Sequence, residues 1–157
     1  MCGIGFKKDV EMAKNYYKQS KDKGNKTGLF KLAQVILHDY EEDLTRIITK
    51  NESDNFDEKS VENIKNGFDL LEKAANLQQS DAQLKLAYLT LYGVKIRNKK
   101  NEKYIFIQKD DQKAVKMFQL IADRDNNPEA MFMFGKLTND YVYISKSARL
   151  NNDKARI

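Results

Sequence analysis

The sequence predicts an all-α fold, an α-α superhelix (solenoid) of stacked antiparallel helix hairpins with two long inserts between hairpins. Three observations predict it. One template of small and large apolar residues recurs three times along the 157 residues. A good N-cap residue stands four positions before the first small residue of each copy. Small residues also recur where neighbouring helices would meet, as expected of stacked units that cannot bury an apolar face alone.

The first copy reads Ala13-x-x-Tyr16-Tyr17, Gly24, Gly28, Leu32-Ala33 and Ile36. The second reads Gly67-x-x-Leu70-Leu71, Ala74-Ala75, Ala82, Leu86-Ala87 and Thr90. The third reads Ala114-x-x-Met117-Phe118, Ile121-Ala122, Ala130 and Phe134-Gly135, with one extra residue near Pro128. These three- and four-residue offsets follow the 3.6-residue period of an amphipathic helix.

In chain order, Asp9 caps a helix over 10–23, and its partner runs over 26–38. The first insert covers 39–61. In it, Leu44-Thr45-Arg46-Ile47-Ile48 adds a helical turn and Asn51–Lys59 reads as a polar loop. Asn63 caps a helix over 64–77, whose partner is 80–92. The second insert covers 94–108. Its Tyr104-Ile105-Phe106-Ile107 is β-prone but is expected to pack locally, because a lone strand has no sheet to join. Asp110 caps a helix over 111–124, and the last partner runs over 128–139 with Pro128 in its first turn. The array is expected over residues 3–139, with 140–157 a partial next unit or a frayed tail. Asn151-Asn152-Asp153-Lys154-Ala155 reads as the start of another capped helix, and both ends fall inside a repeat, as in a piece of a longer array.

Composition narrows the chemistry. Hydrophobic residues make up 41%, enough for a core, and charged residues 32%. A lone Cys2 excludes an internal disulfide, and with a single His38 there is no usual zinc, haem or iron–sulfur ligand set. No cofactor is expected. The carboxylate clusters Glu41-Glu42-Asp43 and Asp110-Asp111 lack a setting that would tune a catalytic pair, so neither an enzyme nor a small-molecule site is expected. His38 ends a helix, where a contact with the helix dipole is expected. The longest charge-free apolar run, Leu86–Val94, is too short to span a bilayer, and no signal peptide opens the chain. A cytoplasmic protein without membrane contact is the expectation.

The formal net charge is +5, and it is unevenly spread. Lys7, Lys8, Lys14, Lys18, Lys21, Lys23, Lys26 and Lys31 crowd the first segment, and Lys95, Arg97, Lys99, Lys100 and Lys103 form a second run. Solvated faces explain both. A phosphate-facing stripe on the first helix is the alternative.

The repeated residues resemble the Sel-one-like repeats, relatives of the tetratricopeptide repeats. Asp110-x-x-Lys113-Ala114 and Asp9-x-x-Met12-Ala13-x-x-Tyr16-Tyr17 match the opening of that pattern. Lys73-Ala74-Ala75 to Ala82-Gln83-Leu84-x-Leu86-Ala87-Tyr88 matches its middle, and Ala130-x-x-x-Phe134-Gly135 its end. Ala33 and Ala87 stand where the family usually has Gly, Gly67 where it usually has Ala, and both inserts are longer than usual. The resemblance implies a non-catalytic interaction scaffold or adaptor that holds a partner peptide or helix in a concave groove. Carried over by position, that groove receives Phe30 and Gln34, Leu84 and Tyr88, and Phe132 and Lys136. Phe30, Leu84 and Phe132 share one repeat position and read more readily as core, whereas Gln34, Tyr88 and Lys136 vary in type, as a surface does. Protein partners are therefore expected. A nucleic-acid-binding repeat using the Lys-rich first helix is the alternative.

Overall fold

Side chains that accept hydrogen bonds from first-turn amides set the helix starts. In the computed structural model the described residues are 11–155, apart from 13, 16, 21, 23 and 51–54. Helix α1 lies within 11–22. It is followed by α2 (Lys26–His38), α3 (Glu41–Lys50), β1 (Asn55–Phe56), α4 (Glu58–Asn76), α5 (Ser80–Tyr92), β2 (Val94–Asn98), β3 (Lys103–Ile107), α6 (Asp111–Asp125), α7 (Pro128–Thr138) and α8 (Tyr141–Ala155). Asn25 accepts from the Thr27 and Gly28 amides at 3.0 and 3.1 Å, opening α2. Asp110 accepts from Lys113 at 2.9 Å and Asn127 from Ala130 at 2.9 Å, opening α6 and α7. Each relieves an amide that the helix itself leaves unpaired. Asn126 and Asn139 close α6 and α7 in left-handed conformations, φ 49° and 58°.

The expected helices over 26–38, 80–92, 111–124 and 128–139 stand within a residue of their observed limits. The helix expected from Ile64 starts six residues earlier, at Glu58, with Asp57 rather than Asn63 as its cap (2.7 Å to the Ser60 amide). Val61 continues the buried stripe of Ile64, Phe68 and Leu71, so extending the helix buries one more β-branched residue. Asn63 sits inside α4 and donates to the Tyr40 hydroxyl at 3.1 Å. The Asp9 cap lies outside the described residues.

Helix α2 packs on α4, α5 on α6, and α7 on α8; α4 also packs on α5, and α6 on α7. The small residues lie at these seams. Ala33, Ala87 and Ala114 are fully buried, and a Cβ on Gly67 would fall 2.6 Å from the Leu37 side chain. Two apolar clusters result. One runs from Leu29 through Phe68 to Ile96, the other from Ala87 through Phe118 to Phe134.

Both inserts are more structured than their polarity suggests. The single turn expected around Leu44 is the ten-residue helix α3, because Leu44 and Ile47 bury against the first cluster and acidic residues fill its first turn. The loop expected over 51–59 is overturned in its described part, where Asn55–Phe56 is a strand and Glu58 begins α4. β1 lies parallel to β2, and β2 pairs antiparallel with β3, so the segment around Tyr104 does have a sheet to join. Alternation drives it: Val94, Ile96 and Asn98 are buried while Lys95 is exposed. Asn98 ties the connecting turn, accepting from the Lys100 and Glu102 amides at 3.0 and 2.8 Å. At the far end, 141–155 form a helix rather than a frayed tail, and Asn151–Ala155 end that helix instead of starting another. Tyr143 meets Phe134 edge-on at 4.7 Å, and the Ser147 hydroxyl donates to the Pro128 carbonyl at 2.6 Å, so α8 is held on α7.

Candidate partner-binding face

Helices α2, α5 and α7 carry the six groove positions, and the structure divides them. Phe30 is 5% exposed and belongs to the first cluster, so at that position the core reading holds. Leu84, its repeat equivalent on α5, is half-buried against the second cluster. Phe132, the equivalent on α7, is 45% exposed. One repeat position therefore changes environment along the array, because Met131, Met133 and Phe134 already fill the α7 seam.

The second position diverges as well. Gln34 is half-buried in a cavity between α2, α3, α4 and α5 that Leu37, Leu44, Phe68, Lys85 and Leu89 also line. Helix α3, which sequence reasoning reduced to a turn, forms one wall of that cavity. Lys136 is exposed. Tyr88 is half-buried, its ring edge-on to Phe118 at 5.1 Å, and its hydroxyl donates to Glu129 Oε1 at 2.7 Å. Burial, and then the Glu129 carboxylate, push its phenol well above the ordinary value, so it stays a protonated donor. Tyr88 thus bridges α5 and α7.

Glu129 was not singled out from the sequence, although the helix period contained it. Glu129, Phe132 and Lys136 fall three and four residues apart on α7, which places acid, ring and base in one row. Tyr88 meets that row at its acidic end. Gln34 lies apart from it, in the cavity of the first unit. Beside Phe132, the residues Pro128, Glu129, Ile144, Ser147 and Asn151 line an open cleft of about 720 Å³ between α7 and α8. An exposed ring with charges one turn to either side can bury against an apolar anchor while the charges fix its orientation.

Among the described residues, no group of three or more His, Cys, Asp or Glu side chains is placed to hold a metal ion. None of their helices is long and apolar enough to cross a membrane. His38 Nδ1 lies 3.3 Å from Glu41 Oε2, linking the end of α2 to the start of α3.

The Sel1 repeat family model matches residues 1–25, 59–78, 80–103 and 105–126, more than half of the chain. No curated protein and no solved structure matches it significantly.

Proposed function

We propose, from the premise that this chain belongs to the Sel1 repeat family, that it is a non-catalytic scaffold holding a partner peptide or helix along the α5–α7 face. Sel1 repeats are generally protein–protein interaction modules. The observation that carries the finer reading is Phe132, a large ring left 45% exposed in a row with Glu129 and Lys136. An exposed aromatic flanked by opposite charges suits an amphipathic partner, in which a few anchors hold most of the affinity. Lys136 and Phe132 form the contact surface and Tyr88 fixes Glu129, while Gln34 stays outside this face, in the cavity of the first unit. The alternative, a nucleic-acid surface on the first helix, has less support among the described residues: Lys14 is paired with Glu11 at 3.6 Å and Lys18 shares a cleft with Asp69, while Lys7, Lys8, Lys21 and Lys23 lie outside the described residues.

The test is capture from a lysate of the source, with and without nuclease, by the unaltered chain and a Phe132→Ala/Lys136→Glu variant. Tyr88 is left in place because it packs on Phe118. Specific proteins that survive nuclease and moderate salt but are lost with the variant support the scaffold reading. Capture that requires nucleic acid, falls steeply with salt and ignores both substitutions overturns it in favour of the basic helix.

A further inference from the structure

We propose that the outer edge of β3 accepts an extended acidic peptide as a fourth strand. Among the described residues the sheet order is β1-β2-β3, so β3 is paired on one side only. The Asn98 amide donates to the Glu102 carbonyl at 3.1 Å, next to the opposed residues Arg97 and Lys103. Bonded and non-bonded pairs alternate along an antiparallel ladder. Lys103 and Ile105 therefore turn their N–H and C=O groups away from β2, toward the open edge, and Tyr104 between them turns inward.

The solvent side of this edge is basic. Lys95 and Arg97 on β2 share it with Lys103 and Ile105 on β3, while Tyr104 and Phe106 pack on the first cluster. Arg97 stands directly opposite Lys103, a pairing of like charges that costs stability in a sheet. Its guanidinium donates to the Asn101 carbonyl and Oδ1, both at 3.2 Å, which are neutral acceptors. Among the described residues no carboxylate forms an ion pair with Lys95, Arg97 or Lys103. The acids at the turn are already engaged: Glu58 pairs with Lys100 at 2.6 Å, and Glu102 accepts from Asn98 and Tyr104, while Asp69 and Glu72 line a cleft beside Phe106, away from the lysine side.

Lysines on an edge strand repel a second copy of that edge. The same charge attracts a strand of opposite sign. Ile105, 50% exposed at the centre of the edge, supplies an apolar contact. A peptide fits better than a nucleic acid because, among the described residues, this face presents no ring for base stacking, while its outward-turned amides and carbonyls have the spacing of a strand. This edge lies on the α5–α6 connection, apart from the α7 row, so each site stands or falls by itself.

The experiment measures fluorescence anisotropy of a labelled Glu-Val-Glu-Val-Glu-Val peptide titrated with the full chain. Its glutamates would lie on the lysine side, and its valines beside Tyr104 and Phe106. Saturable binding is expected, weakened at least tenfold by Ile105→Pro, which removes one outward N–H and leaves the β2–β3 ladder intact. Lys103→Glu, which gives Arg97 an opposite charge and should not weaken the hairpin, is expected to weaken binding as strongly. Should Ile105→Pro fail to fold by circular dichroism, the comparison moves to the peptide. An alternately N-methylated version is then expected to bind the unaltered chain at least tenfold more weakly. No saturable binding at millimolar peptide, or equal binding of the methylated peptide, overturns the proposal. So does an oligothymidine that binds as tightly and is insensitive to Ile105→Pro, which would mark a general polyanion surface.

Discussion

Gly135 shows how much one missing methyl group decides in this array. It lies inside α7, where alanine is favoured over glycine by about 1 kcal/mol on helix propensity. Yet a Cβ there would fall 2.7 Å from the Asp140 carbonyl oxygen and 3.0 Å from the Ile144 amide nitrogen. Both are backbone atoms, which cannot rotate aside as a side chain can. The overlap wins, and Gly135→Ala is expected to destabilise the fold by about 1–3 kcal/mol, the usual cost of overpacking. A lower urea midpoint at unchanged slope would show it; a rise would mean that α7 and α8 slide apart at no cost. This glycine was legible in the sequence as a small residue at a helix contact. Which of Phe30, Leu84 and Phe132 would be exposed was not, because equal repeat positions suggest equal environments, and Phe30 is buried where Phe132 is open. What differs is the neighbouring methionines of α7, a packing detail no periodicity encodes.

At the scale of elements, the helices with strong caps and three-residue or four-residue periodicity were legible nearly to the residue, and the inserts were not. The reason is visible in β1 and β2. Two residues, Asn55 and Phe56, pair with Arg97 and Asn98 some forty positions away, and no local pattern announces so short a partner. Helix α4 was misplaced at its start for a related reason, since Asn63 and Asp57 are both competent caps and tertiary burial of Val61 selects the second. The hairpin itself hangs on Asn98, which is 1% exposed. Its side chain accepts from the Lys100 and Glu102 amides and donates to Glu102 Oε2 at 2.6 Å. Asn98→Ala leaves two amides of a tight turn without an acceptor, at a cost of about 1–3 kcal/mol. Thermal unfolding is expected to shift down while the helical signal of the folded protein stays constant, because α5 and α6 are capped independently of the turn. Loss of helical signal before unfolding would show instead that the sheet supports both helices.

Across the whole molecule, α5 is the element that both apolar clusters share. Its Ala82 and Leu89 belong to the first, and its Ala87 and Leu91 to the second. Stability in a stacked array is close to a sum of unit terms and nearest-neighbour contacts, so damage to one cluster should stay there until the shared helix fails. Phe118 is the place to test this. It is fully buried in the second cluster and touches the Tyr88 ring that bridges α5 and α7. Phe118→Ala is expected to cost about 3–5 kcal/mol, a large fraction of the roughly 5–15 kcal/mol that holds a domain folded. Native-state hydrogen exchange should then show α6, α7 and α8 opening at a much lower free energy, with α2 and α4 keeping most of their protection and α5 falling between. The α7 row would be weakened with them, while the first cluster, which holds Val94 and Ile96 of β2, stays in place beneath the basic edge. Uniform loss of protection from α2 to α8 would mean that α5 couples the two clusters into one cooperative unit, and a partner seated on α7 would then steady the sheet edge as well.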